Sequence, residues 1–118
     1  MPSSMPDAAT LLKAAIRYLE DELMPELAGY HRFKCRVTVN ALSTIRRELE
    51  RGEDFGEREA SRLQTLLGHS GDRANLSAEL ADQIRGGKIA PDDEALRDHI
   101  RESLREALAI NNPKWIER

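Results

Sequence analysis

Apolar positions along this chain recur at three and four, and the breaks between those runs carry proline or glycine. From Asp7 to about Met24, Leu11, Leu12, Ala15, Ile16, Leu19 and Leu23 trace one helix face, which Pro25 should interrupt or kink. Gly29 suits the left-handed conformation found where helices end. The strongest periodicity lies between Tyr30 and Arg51, where Phe33, Val37, Ala41, Ile45 and Leu49 repeat every four residues, with Gly52 as the stop. Glu57 to Leu67 carries Ala60, Leu63, Leu66 and Leu67 and predicts a third, shorter helix ended by Gly68.

Asp72 or Asn75 can cap a fourth helix with Leu76, Leu80 and Ile84 on its face, closed by Gly86 and Gly87. Asp92 and Asp93 offer a cap and favourable charge for a fifth, striped by Leu96, Ile100, Leu104 and Leu108 and stopped at Asn111-Asn112-Pro113. Nowhere do apolar and polar residues alternate over strand length, and the connections are short. The pattern therefore predicts an all-α, compact bundle of about five helices with no sheet. Residues 1–6 read as a flexible lead-in and residues 7–118 as a single helical domain.

Composition narrows the function classes. The 118 residues are 40% hydrophobic, 33% charged and 4% aromatic, a balance that supports one modest aliphatic core. The net charge of -3 argues against nucleic acid and against an anionic membrane as partner, and with them against a helix-turn-helix DNA binder. No apolar run suits a signal peptide or a membrane span, and the single Cys35 fits a reducing compartment, so a cytoplasmic location is expected.

Nucleotide, zinc-protease and serine-hydrolase signatures are missing, and no cofactor is implied. His31, His69 and His99 are scattered, which predicts no metal site; Cys35 reads as a small buried residue and His31 as solvent-facing. An enzyme using His69, Glu48 or His99 as acid or base is a third functional reading, disfavoured because no converging pair is legible.

At about 100° per residue, Arg32, Arg36, Asn40, Ser43 and Arg47 fall on one polar stripe of the second helix. Phe33 and Val37 flank it on one side and Val39 and Leu42 on the other, so the helix reads as central and Arg36 and Asn40 as partly buried. A buried guanidinium must be answered. Carboxylates within the chain, with Glu20, Glu22, Glu102 and Glu106 as candidates, are one answer; an anionic ligand or acidic partner segment is the other, since arginine presents a fork of donors matched to carboxylate or phosphate. Arg97, Arg101 and Arg105 read instead as a solvated face paired with Asp98, Glu102 and Glu106. Trp115, in the tail after Pro113, is expected to pack over the end of the bundle, the other reading being an exposed contact for a partner.

The run Arg36-Val37-Thr38-Val39-Asn40-Ala41-Leu42, the following Arg47-Glu48-Leu49 and the late Asn112-Pro113 resemble a bacterial family of small helical proteins classed as a domain of unknown function. The resemblance covers nearly the whole chain. It places Arg36, Asn40, Arg47, Glu48, Asn112 and Pro113 on the family pattern without any catalytic role, and departs from it at Thr38 and Val39, where small alanines are more usual. It also implies a setting beside kinases similar to aminoglycoside phosphotransferases and beside acyl-CoA dehydrogenases, hence acyl-CoA or hydroxyacyl catabolism.

The expected function is accordingly a non-catalytic accessory protein that binds such a kinase or dehydrogenase. The alternative is a small-molecule binding module in which Arg36, Asn40 and Arg47 hold a phosphate or carboxylate, with Arg32 on the same stripe as a further anion- or partner-binding candidate. Homodimerisation is a further expectation, because several helices carry apolar stripes that one small bundle need not cover.

Overall fold

The computed structural model describes residues 6–116; the expected lead-in lies, Pro6 apart, outside them. Among the described residues the fold is all-helical: α1 spans Ala8–Arg17, α2 Gly29–Leu67, α3 Arg73–Arg85 and α4 Glu94–Asn111. A π-helical turn at Tyr18–Leu23 and a 3-10 turn at Met24–Glu26 extend α1, and a second 3-10 turn at Pro113–Trp115 follows α4.

The all-α class holds, but the described residues form four α-helices rather than about five, because the expected second and third helices are one. Neither Gly52 nor Gly56 stops α2, since glycine weakens a helix without breaking it. Their missing side chains are occupied instead. A Cβ on Gly52 would lie 2.6 Å from the Glu48 carboxylate, and one on Gly56 2.7 Å from the Arg73 guanidinium. Between and beyond them Asp54 and Arg58 form an i,i+4 ion pair of 3.0 Å that favours continued helix.

Pro25 acts as expected: it has no N–H to donate and its ring crowds the carbonyl four residues back. The backbone loosens ahead of it, and Met24 N–H reaches the Leu19 carbonyl five residues earlier. Three aspartates cap the other starts. Asp7 accepts from Thr10 N–H at 2.8 Å, Asp72 from Asn75 N–H at 3.4 Å and Asp93 from Leu96 N–H at 3.0 Å.

The chain divides into two compact units, Met1–Gly52 and Glu53–Arg118. In the first, α1 and the first half of α2 form a helical hairpin around buried Met24, Cys35 and Val39, with Ile16, Leu19 and Leu27 packed against them. Lys13 pairs with Glu50 at 3.7 Å, and the Cys35 thiol donates to the Leu19 carbonyl at 3.7 Å, so the two helices run antiparallel. In the second, Leu63 of α2, Leu76 and Leu80 of α3 and Leu96 of α4 form the core, backed by Leu66, Leu67, Ile84 and Ile89.

Two sequence stripes do not face a core. Phe33, Val37, Ile45 and Leu49 are 62%, 45%, 50% and 52% exposed, whereas Cys35 and Val39 between them are buried. On α4, Leu96 is buried, Leu108 is half-buried, and Ile100 and Leu104 are exposed. The row α4 does bury is Leu96, His99, Ser103, Glu106 and Ile110, spaced alternately three and four like a coiled-coil seam. Ser103 is its half-buried member; the others are buried.

Candidate functional site

The arginine stripe of α2 lies at the surface. Arg32, Arg36 and Asn40 are exposed, while Ser43 and Arg47 are half-buried. Arg36 and Asn40 each follow a buried residue, Cys35 and Val39, by one position, and about 100° of rotation carries them out of the hairpin interface. Of the expected carboxylate partners, Glu106 binds Arg62 and Glu102 binds Arg105. Arg47 donates to the Thr44 hydroxyl at 3.3 Å. Its pKa is lowered by burial first and then by the neighbouring charges of Arg46 and Arg51.

Sequence reasoning missed the most developed polar cluster, which is built on Arg62. Its two terminal nitrogens donate to the Glu106 carboxylate at 2.7 and 3.3 Å, one of them also to Ser103 Oγ at 3.1 Å, and Nε donates to His99 Nδ1 at 3.3 Å. The signal was present in the heptad spacing of His99, Ser103 and Glu106, but apolar periodicity alone follows the neighbouring Ile100 and Leu104. His99 Nδ1 accepts a hydrogen bond, so the ring is neutral with its proton on Nε2. Burial, and then the Arg62 charge, lower its pKa. Because Arg62 spends its donors on all three partners, and His99 accepts from arginine rather than from a hydroxyl, the cluster is a cross-brace between α2 and α4. It lacks the nucleophile and base arrangement of a hydrolase.

His69 is a different histidine. Nδ1–H donates to the Ser70 carbonyl at 3.0 Å and Nε2–H to the Glu79 carboxylate at 2.8 Å. Two acceptors require two N–H groups, which only the imidazolium supplies. The Ser70 carbonyl first, then Glu79, raises its pKa. Glu48, the remaining acid considered for chemistry, is exposed, with its carboxylate over Gly52. Cys35 is buried and His31 is exposed, with its ring edge-on to Tyr30.

Trp115 does not cover the core. The 3-10 turn after Asn112 sends the tail along the outer side of α4, leaving Trp115 61% exposed. Leu104, Leu108, Trp115 and Ile116, with Arg101 and Arg105, line a shallow cleft of about 240 Å³. The cationic rim is locally balanced, since Arg101 pairs with Asp98 at 3.1 Å and Arg105 with Glu102 at 3.3 Å. These i,i+3 pairs supply the ion-paired face expected of Arg101 and Arg105, whereas Arg97 forms no ion pair among the described residues and Glu106 turns inward to Arg62.

Among the described residues no three His, Cys, Asp or Glu side chains converge as a metal would require. No described helix is long and apolar enough to cross a membrane. The chain matches none of the curated proteins and none of the solved structures. A family model described as a domain of unknown function, DUF6285, matches residues 25–115, a span that takes in α2, α3, α4 and the exposed tail, and the chain belongs to that family.

Proposed function

We propose that the chain is a non-catalytic accessory protein that binds another protein through the outer face of α4 and the tail. The observation that carries this reading is Trp115, 61% exposed beside Leu104, itself 59% exposed, in a chain with few aromatics. Tryptophan is enriched where protein interfaces concentrate their binding energy, and an uncovered aromatic next to exposed leucine disfavours contact with water. The resemblance carried by the Arg36-to-Leu42 run supplies the partner class: a kinase similar to aminoglycoside phosphotransferases, or an acyl-CoA dehydrogenase, in acyl-CoA or hydroxyacyl catabolism.

The test is capture of each such purified partner, taken from the source cell, by the tagged full chain. Near-stoichiometric binding that Trp115→Ala reduces at least about tenfold supports the proposal, a loss typical of an interface hot spot. Failure to bind either enzyme, or equal binding by the variant, overturns it.

The second reading, a module for a phosphate or carboxylate, draws support from Arg32 and Arg36, which stand exposed with no ion pair among the described residues. In that case the site is an open surface, with Asn40 and Arg47 alongside. Thermal stabilisation by millimolar inorganic phosphate that Arg36→Ala abolishes is the expected result, and an unchanged melting curve excludes it.

A further inference from the structure

We propose that the chain pairs with a second copy of itself, antiparallel, along the outer face of α2, with Ala41 at the crossing point. Phe33, Val37, Ala41, Ile45 and Leu49 form a continuous row of exposed apolar side chains at intervals of four. That row lies wholly within the unit Met1–Gly52, whose hairpin buries Met24, Cys35 and Val39 on the other side of α2. A helix apolar on both sides has a second packing partner to satisfy. Joining two such hairpins makes a four-helix arrangement with the row inside it.

The occupant is identified by the symmetry of the row. A two-fold interface uses one patch twice, so the patch must complement itself. About Ala41 the row is balanced in size, with Val37 and Ile45 one turn away on either side and Phe33 and Leu49 two turns away. A small residue at the centre allows the backbones to approach. Rows spaced at four pack against their like with helices crossing at about -50°, which concentrates contact on Val37, Ala41 and Ile45.

Charge fixes the direction. Lys34 lies seven residues before Ala41 and Glu48 seven after it, so the three share one face. Both charged residues are exposed, and neither forms an ion pair among the described residues; Lys34 Nζ rests 5.9 Å from the Tyr30 ring centroid, on the same face. An antiparallel pair centred on Ala41 brings Lys34 of one copy to Glu48 of the other, twice. A parallel pair would instead set lysine against lysine and glutamate against glutamate.

The experiment is sedimentation equilibrium of the full chain from about 1 to 100 μM, a range that brackets micromolar self-association. The expected species is a dimer of the 13.3 kDa chain. Glu48→Lys alone should weaken it at least about tenfold, because like charges then face each other twice, and Lys34→Glu combined with Glu48→Lys should restore it. Ala41→Cys should give a disulfide-linked dimer on mild oxidation, a readout that survives any loss of affinity. A monomer across the whole range, or charge variants that dimerise unchanged together with an Ala41→Cys chain that fails to cross-link, overturns the proposal. Trp115→Ala should leave the dimer intact, which separates this interface from the partner-binding face.

Discussion

Arg62 on α2 and Glu106 on α4, 44 residues apart in sequence, meet in a two-pronged ion pair with a shorter arm of 2.7 Å. Their side chains are 22% and 11% exposed, so the pair is largely withdrawn from water, unlike the surface pairs on the outer side of α4. Removing Arg62 leaves a carboxylate with little solvent to replace its donors. Arg62→Met is expected to destabilise the chain by about 2–4 kcal/mol in urea unfolding. Adding Glu106→Leu to it should recover part of that loss, since the stranded charge is gone. A double variant that merely sums the two single losses would refute the coupling.

His99 predicts acid sensitivity. Its folded pKa lies below the ordinary value of about 6.5, so the unfolded chain takes up a proton that the folded chain resists. Stability should therefore fall as pH drops through about 6.5, and level off once the folded ring is also protonated. Melting temperatures between pH 7.5 and 5 should decline more steeply in the parent than in His99→Gln. Equal slopes would show that other groups dominate.

His69 should titrate in the opposite sense. Its pKa is raised, so its contribution is fully present below the unfolded value and disappears as pH rises through the folded one. The Ser70 carbonyl is the larger cause and Glu79 the next, so Glu79→Gln should lower the ring pKa without returning it to the ordinary value. An NMR titration of the His69 ring protons reads this directly, and no change on Glu79→Gln would deny the ion pair.

Leu96 and Leu104 occupy the same apolar stripe of the sequence and opposite environments in the fold. Leu96→Ala empties space at a residue 2% exposed and should cost about 2–5 kcal/mol. Leu104→Ala, at a residue 59% exposed, should stay within about 0.5 kcal/mol for the isolated chain. Comparable losses at both sites would mean that Ile100 and Leu104 face a core after all.

Loss of the Asp93 cap gives a local check on α4. The carboxylate accepts from Leu96 N–H at 3.0 Å, and Asp93→Ala should cost about 1 kcal/mol, with Asp93→Asn costing less. A neutral result for alanine would place the start of α4 elsewhere.

What the sequence determined by itself was the local structure. Period, capping aspartates and punctuating residues act within a few positions, so the helical class, the stops at Gly68 and Gly86, the disturbance before Pro25 and the burial of Leu63, Leu76, Leu80 and Cys35 are legible, whereas the stop read at Gly52 is not one, because a lone glycine weakens a helix without ending it. Tertiary structure decided which face of each helix is covered, because that depends on what packs against it. Apolar periodicity pointed to Phe33 and Val37, yet the hairpin buries Cys35 and Val39 instead. It pointed to Ile100 and Leu104, yet α4 turns His99 and Glu106 inward, since Arg62 of α2 supplies donors that make their burial tolerable. The same dependence freed Arg36 and Trp115 from the interior. No spacing within one helix reports on a guanidinium arriving from another, and burial of polar groups is set by that arrival.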